Sequence, residues 1–308
     1  MKQHSIVTAK MKKHFILTAV LSVFLIGILS CFVTTGKSGE PKGYNFSEPD
    51  VSWSLPDTLR EISGLTVLNE EEIGCVQDEN GILFIYNMES EEIVKQIEFG
   101  ADGDYEGITH VGNTMYILRS DGVLFEISDY TSDELKVDSI VTQIPAANNE
   151  GLCYDEMNNR LLIACKVANS KDFSVKSKRM IYGIDLKTKK TLTDPVYAFD
   201  IADLKAFASK HQLNLPVRIS KKNAVPEPIV KFRPSAISIH PVTKKLYMLS
   251  ASDHLLLVFD RNGKIERMEV LDEELFNKAE GISFMPNGDL LISNEGQEKK
   301  PSLLRFKH

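Results

Sequence analysis

The chain has 308 residues, of which 43 % are hydrophobic and 26 % charged, with a formal net charge of −7. That is enough apolar material for one large buried core, while the acidic balance argues against nucleic acid, whose phosphates need a basic face. The four cysteines, Cys31, Cys75, Cys153 and Cys165, have no metal-type spacing, which argues against a zinc framework.

The first segment reads as a targeting signal. Lys10, Lys12 and Lys13 precede an apolar run from Phe15 to Leu29, and Ser30-Cys31 follows. This is the layout of a secretory signal peptide, and the run is short for a spanning helix. Ile28-Leu29-Ser30-Cys31 resembles a bacterial lipobox, in which the cysteine is lipidated and becomes the new N-terminus. Residues 1–31 are expected to be an export signal ending in a lipidated Cys31, and residues 32–43 a tether of small and polar groups. The expected location is the cell envelope, on the periplasmic or outer side of a bacterial membrane.

From Tyr44 onward, short β-branched runs alternate with turn residues. Asp50 to Leu55 alternates as a strand. Four runs follow, Ile62 to Leu68, Ile73 to Val76, Ile82 to Tyr86 and Ile93 to Phe99, with breaks such as Asp78-Glu79-Asn80-Gly81. The pattern repeats from Gly107 to Ile144, from Gly151 to Phe199 and from Ala236 to Val270. The last repeat, from Gly281 to Phe306, has only three runs. The early Asp50 to Leu55 segment can supply the missing strand and close a ring, which removes exposed edges. The expected fold is an all-β, five-bladed β-propeller of four-stranded blades over residues 44–308. An insertion lies at about 200–231, where Ile201 to Ala208 has helical spacing and Pro216, Pro226 and Pro228 follow. The alternative is a degenerate sixth blade in that stretch.

An acid opens most repeats: Glu61-Ile-Ser-Gly-Leu, Glu106-Gly-Ile, Glu150-Gly-Leu and Glu280-Gly-Ile, with Ser235 in place of the acid in Pro234-Ser-Ala-Ile. These recur about 45 residues apart, with a double step between Glu150 and Ser235, a period suited to propeller blades. The starts of first strands and the ends of second strands share one face. One channel mouth should therefore gather Glu61, Glu106, Glu150 and Glu280 with Asp78, Asn294 and Glu295, and the bases Arg119, Lys166 and Arg233. Converging carboxylates must protonate, pair with bases or bind a cation. An oxygen-only set favours Ca²⁺. The other readings are that Glu-Gly is plain turn chemistry beside a crowded axis, or that the mouth holds an anionic ligand without metal. Cys153 and Cys165 can face each other across a hairpin, but the simpler reading is three buried thiols.

Together, Glu61-Ile-Ser-Gly-Leu, Asp104-Tyr-Glu-Gly-Ile, Asn149-Glu-Gly-Leu, Arg233-Pro-Ser-Ala-Ile-Ser-Ile-His-Pro and Ala279-Glu-Gly-Ile-Ser-Phe-Met-Pro-Asn-Gly-Asp resemble the SdiA-regulated domain family of bacterial β-propellers. The resemblance covers roughly Trp53 to Phe306. It implies a propeller, and it is similar to esterase-like phytase propellers, which carries metal-dependent phosphate chemistry only as an analogy. The expected function is an exported, lipid-anchored propeller that binds a small-molecule or protein ligand at one mouth, with Ca²⁺ held by the glutamates. The alternative is a metal-dependent phosphoesterase in which Arg119 and Lys166 steady the phosphate and Glu106 serves as base. A third reading makes the insertion an arm that docks a partner.

Overall fold

A computed structural model describes residues 43–132, 134–168, 176–220 and 224–308. The expected signal, Cys31 and nearly all of the tether lie outside the described residues, as do Lys221 and Lys222 of the insertion. From Tyr44 the chain forms one unit. The opening strand is β1 (Val51–Ser54). Blade 1 is β2 (Ile62–Val67), β3 (Glu72–Gln77), β4 (Ile82–Asn87) and β5 (Glu92–Glu98). Blade 2 is β6 (Tyr105–Val111), β7 (Thr114–Arg119), β8 (Val123–Ser128) and β9 (Lys136–Val141). Blade 3 is β10 (Ala146–Asp155), β11 (Arg160–Ala168) and β12 (Lys178–Asp185), with a fourth strand in two pieces, β13 (Lys190–Thr191) and β14 (Tyr197–Asp200), on opposite ends of β12. Pro195 lies in the break and has no N–H to offer a ladder.

The insertion follows as helix α1 (Ile201–Lys210) and a hairpin of β15 (Val217–Ile219) and β16 (Pro226–Pro228). Blade 4 is β17 (Ala236–Ile239), β18 (Leu246–Ser250), β19 (Leu255–Phe259) and β20 (Ile265–Val270). Blade 5 is β21 (Ala279–Phe284), β22 (Leu290–Asn294) and β23 (Ser302–Phe306), completed by β1. The innermost strands pack in the cycle β2, β6, β10, β17, β21 and back to β2. The ring therefore closes on five blades, and the insertion is not a sixth.

Blade strands bury both faces, so alternate residues fill opposite seams. In β4, Leu83 and Ile85 pack toward Tyr105, Ile108 and Ile117 of blade 2. Phe84 and Tyr86 pack toward Trp53, Leu291 and Leu303 of blade 5. The remaining seams are filled in the same way. The outermost strands β5 and β9 are mostly exposed. At the seam between blades 3 and 4, α1 adds Leu204 and Ala208 to a core with Phe199, Phe232 and Phe259. The Asp200 carboxylate caps this helix by accepting the Ala202 N–H at 2.8 Å.

Cys75, Cys153 and Cys165 are buried free thiols. Cys153 lies opposite Leu162, and Cys165 lies opposite Asn149, so the two cysteines do not face each other across the hairpin.

The closing strand carries the chain's single tryptophan, Trp53, in register with Leu303 and 8 % exposed. Trp53→Ala should lower unfolding free energy by about 3–5 kcal/mol, the usual cost of emptying a large aromatic site. Denaturant melts followed by circular dichroism measure this, since the variant loses the indole fluorophore. A loss below about 1 kcal/mol would mean that the ring closes without this strand.

Candidate functional site

The mouth is built by an irregularity in the innermost strands. In four blades the register shifts against the second strand, between Ile62 and Gly64, Tyr105 and Gly107, Asn149 and Gly151, and Ala279 and Gly281. The residues set out by these bulges are Ser63, Glu106, Glu150 and Glu280. In blade 4, Ser235 stands in the same place, just ahead of β17. The structure thus corrects the expected glutamate ring at one position, since Ser63 and not Glu61 is the counterpart of Glu106. In blade 1 the acid stands three residues before the glycine, not one. Glu61 belongs to a second tier with Asp104, Asn148, Arg233 and Lys278. The ends of the second strands add a third tier, Asp78, Ser120, Lys166, Ala251 and Glu295, as strand pairing dictates.

The serines have a backbone role. Ser63 Oγ donates to the Tyr105 carbonyl and Ser235 Oγ to the Ala279 carbonyl, each just ahead of the next blade's acid. The glutamates have no such partner, and their environment is electrostatically unfavourable. Glu150 and Glu280 are buried, and Glu106 is half-buried. Burial pushes Glu106 well up, and Glu150, Asp104 and Glu280 push it further while Lys166 opposes. Burial raises Glu280 to about 7, against the pull of Lys278. Glu150 is also raised by burial, with Lys166 opposing.

Two lysines hold part of this charge. Lys166 Nζ stands 3.1 Å from both carboxylate oxygens of Glu150. Lys278 Nζ donates to Glu295 at 2.6 Å and lies 3.6 Å from Glu280. Lys278 went unassigned in the sequence, although its place in the repeat, two residues before Glu280, was visible. Beside it, Glu61, Asp78 and Glu295 bring carboxylate oxygens within 4.8 Å of one another. Burial first, then Glu61 and Glu295, raise Asp78 to about 6. Its Oδ1 is buried with no hydrogen-bond partner. Such an orphaned acceptor among acids is what an oxygen-liganded cation would satisfy.

The other expected residues sit differently. Arg119 is locked to Asp121 by two hydrogen bonds of 3.0 and 2.8 Å, and its guanidinium lies over the Phe125 ring. Asn294 is fully buried and donates to the Leu275 carbonyl and to Ser302 Oγ. Arg233 is exposed and lines a groove beside the insertion.

The axis itself is nearly closed. The space between the bulges measures about 10 Å³, room for roughly one water. Nothing much larger than a water fits between the bulges, so a ligand at this end would rest on the mouth. A cavity of about 790 Å³ opens on the opposite face at the turns around His110, Asp155 and Lys244, a site that sequence reasoning did not anticipate. There Arg160 pairs with Asp155 at 2.8 Å and Lys244 with Glu156 at 3.5 Å.

A family model described as SdiA-regulated matches residues 51–298. No curated protein matches the sequence. Among solved structures, a glutaminyl cyclase from Myxococcus xanthus is similar over 84 % of this chain and 95 % of its own, with a TM-score of 0.55 and 14 % identity. A luciferin-regenerating enzyme is similar over 85 % of this chain and 96 % of its own, with a TM-score of 0.48 and 10 % identity. A streptogramin B lyase is similar over 83 % of this chain and 97 % of its own, with a TM-score of 0.46 and 13 % identity. At these identities the likeness is one of fold.

The raised carboxylates set a pH dependence. A group whose folded pKa lies above its unfolded value stabilises fully below the unfolded value, and that contribution is lost as pH rises through the folded one. For Glu280 the window runs from about 4.5 to beyond about 7. His240, lowered by burial and by His308 to about 4, works with the opposite sign below neutrality, so the comparison must be made between variants. In chelator, Glu280→Gln should melt near wild type at pH 5 and increasingly above it as pH passes 7. A melting difference that stays constant between pH 5 and 8 would remove Glu280 from this account.

Proposed function

We propose that this chain, which belongs to the SdiA-regulated family, is a binding protein whose mouth holds a divalent cation, Ca²⁺, and presents it to a ligand or partner. The observation that carries the reading is the close set of Glu61, Asp78 and Glu295 oxygens with its buried, unpartnered Asp78 Oδ1. The donors are all oxygen, which suits a hard ion that accepts irregular coordination. Glu106, Glu150 and Glu280 adjoin this set and supply the surrounding negative field. When bound, the ion supplies the positive charge that two lysines leave uncompensated. Lys278 bridges the two acid groups, so it sets how much of that charge reaches Glu280. The apolar run ending in Ser30-Cys31 supports a further part of the reading, a domain held in the cell envelope on a lipid anchor.

The phosphoesterase alternative is weaker. It asks Arg119 and Lys166 to grip a phosphate, yet Arg119 is held by Asp121 and Lys166 by Glu150. Freeing either would expose an acid to the same phosphate.

An ion that binds only the folded state must raise the melting temperature, by about 2.7 kcal/mol of stability at one hundred times its Kd. Calcium titrated into chelated protein should raise the melting temperature, and Asp78→Asn with Glu295→Gln should abolish the rise. If no divalent ion shifts wild type, or if the double variant responds as wild type does, the cation reading fails.

A further inference from the structure

On the same face as the acidic mouth, the insertion builds a groove of opposite charge. A cavity of about 480 Å³ lies between the start of β12, the first turn of α1 and the segment entering blade 4. Five bases line it, Lys176, Arg179, Lys205, Lys231 and Arg233, against two acids, Asp200 and Glu227. In a chain of net charge −7 this is a local reversal. The acids in and beside the groove have hydrogen-bond or ion-pair partners of their own. Asp200 caps α1, Glu227 pairs with Arg218 at 2.7 Å, and Asp253 accepts from Ser250 Oγ and the Lys231 N–H. Among the described residues, Lys176, Lys205, Lys231 and Arg233 form no ion pair.

Arg179 fixes the geometry. Its Nη1 donates to the Lys176 and Lys178 carbonyls at 3.0 and 2.9 Å, and its Nη2 to the Lys231 carbonyl at 2.7 Å. Its Nε donates to the Phe232 carbonyl. The guanidinium thus ties β12 to the end of the insertion through neutral acceptors and keeps its full charge. Burial and the nearby Arg233 lower its affinity for a proton, with Asp253 opposing. Ile201, Ala202 and Val230 give the groove an apolar wall beside the charges.

We propose that this groove binds a phosphate monoester: a doubly charged phosphoryl group set among Lys176, Lys205, Lys231 and Arg233, with a small apolar body against Ile201 and Val230. Four unpaired cations suit a dianion better than a single carboxylate, and charge-assisted hydrogen bonds to phosphate are strong. The site uses none of the carboxylates that would hold a cation at the mouth.

The test is calorimetric titration of the chelated domain with phenyl phosphate and with inorganic phosphate, and flotation with vesicles of phosphatidylcholine with or without phosphatidic acid. Phenyl phosphate should bind saturably, and Lys205→Glu with Arg233→Glu should weaken it by about tenfold or more, as expected when charged hydrogen bonds are lost. The charge-matched control, Lys136→Glu with Lys190→Glu on distant exposed strands, should leave binding unchanged. Binding confined to phosphatidic acid vesicles, and lost in the groove variant, would keep the site and assign the phosphoryl group to a lipid. The proposal is overturned if no probe binds saturably, or if the groove variant binds as wild type does. Because chelator is present throughout, a failure of the cation reading leaves this result untouched.

Discussion

The close approach of neighbouring innermost strands at the propeller axis is the constraint on which the rest depends. A Cβ on Gly107 would come within 2.8 Å of the Glu150 carbonyl oxygen, and one on Gly151 within 2.9 Å of the Ile237 nitrogen. Only a residue without a side chain allows this spacing. The tight ring leaves no through-channel, so the fold delivers a surface site and not a tunnel. It also explains the bulge. In four blades, setting out one residue just before the glycine turns the strand into the ring while placing a polar side chain at the rim.

That placement has an electrostatic consequence. The residues at this position lie where backbone packing excludes water, and three of the five, counting Ser235 of the unbulged blade 4, are glutamates. Ser63 and Ser235 tie their blades to the next through neutral hydrogen bonds. Glu106, Glu150 and Glu280 do no such tying, and they raise one another's pKa values. A mouth that needed only stitching would be served by serine throughout. The acids, with Asp78 and Glu295 beside them, make the rim a stored negative potential that two lysines only partly discharge. The insertion places a positive groove a short way outward on the same face, so the face is bipolar from axis to edge.

Much of the architecture was legible in the sequence because propeller strands bury both faces and are bounded by turn residues. The runs Ile62 to Leu68 and Leu255 to Phe259 match β2 and β19 within a residue, and the early strand that closes blade 5 was readable from the shortfall in the last repeat. The split outer strand of blade 3 was not, since β13 and β14 are held by β12 and carry little pattern of their own. At the site, the repeated Glu-Gly located Glu106, Glu150 and Glu280. Glu61 was placed one tier off because a strand repeat read by its acid, and not by its glycine, slips by two residues. Arg119 was legible as a base near the mouth, but its partner Asp121, on the neighbouring turn, could not be weighed without distances. The basic groove was illegible because its walls come from β12, α1 and the approach to β17, which are far apart in sequence.

The pairing of β1 with β23 has a temporal meaning. Ser52 stands opposite Leu304, so the strand made first waits for almost the whole chain before its partner exists. Such long-range closure makes folding slow and leaves an unpaired edge until the end. Blades 1 to 4 can assemble from local hairpins as they emerge, whereas the last seam forms only once β23 has been made. A protein built this way stays open, and therefore threadable, until β23 is made.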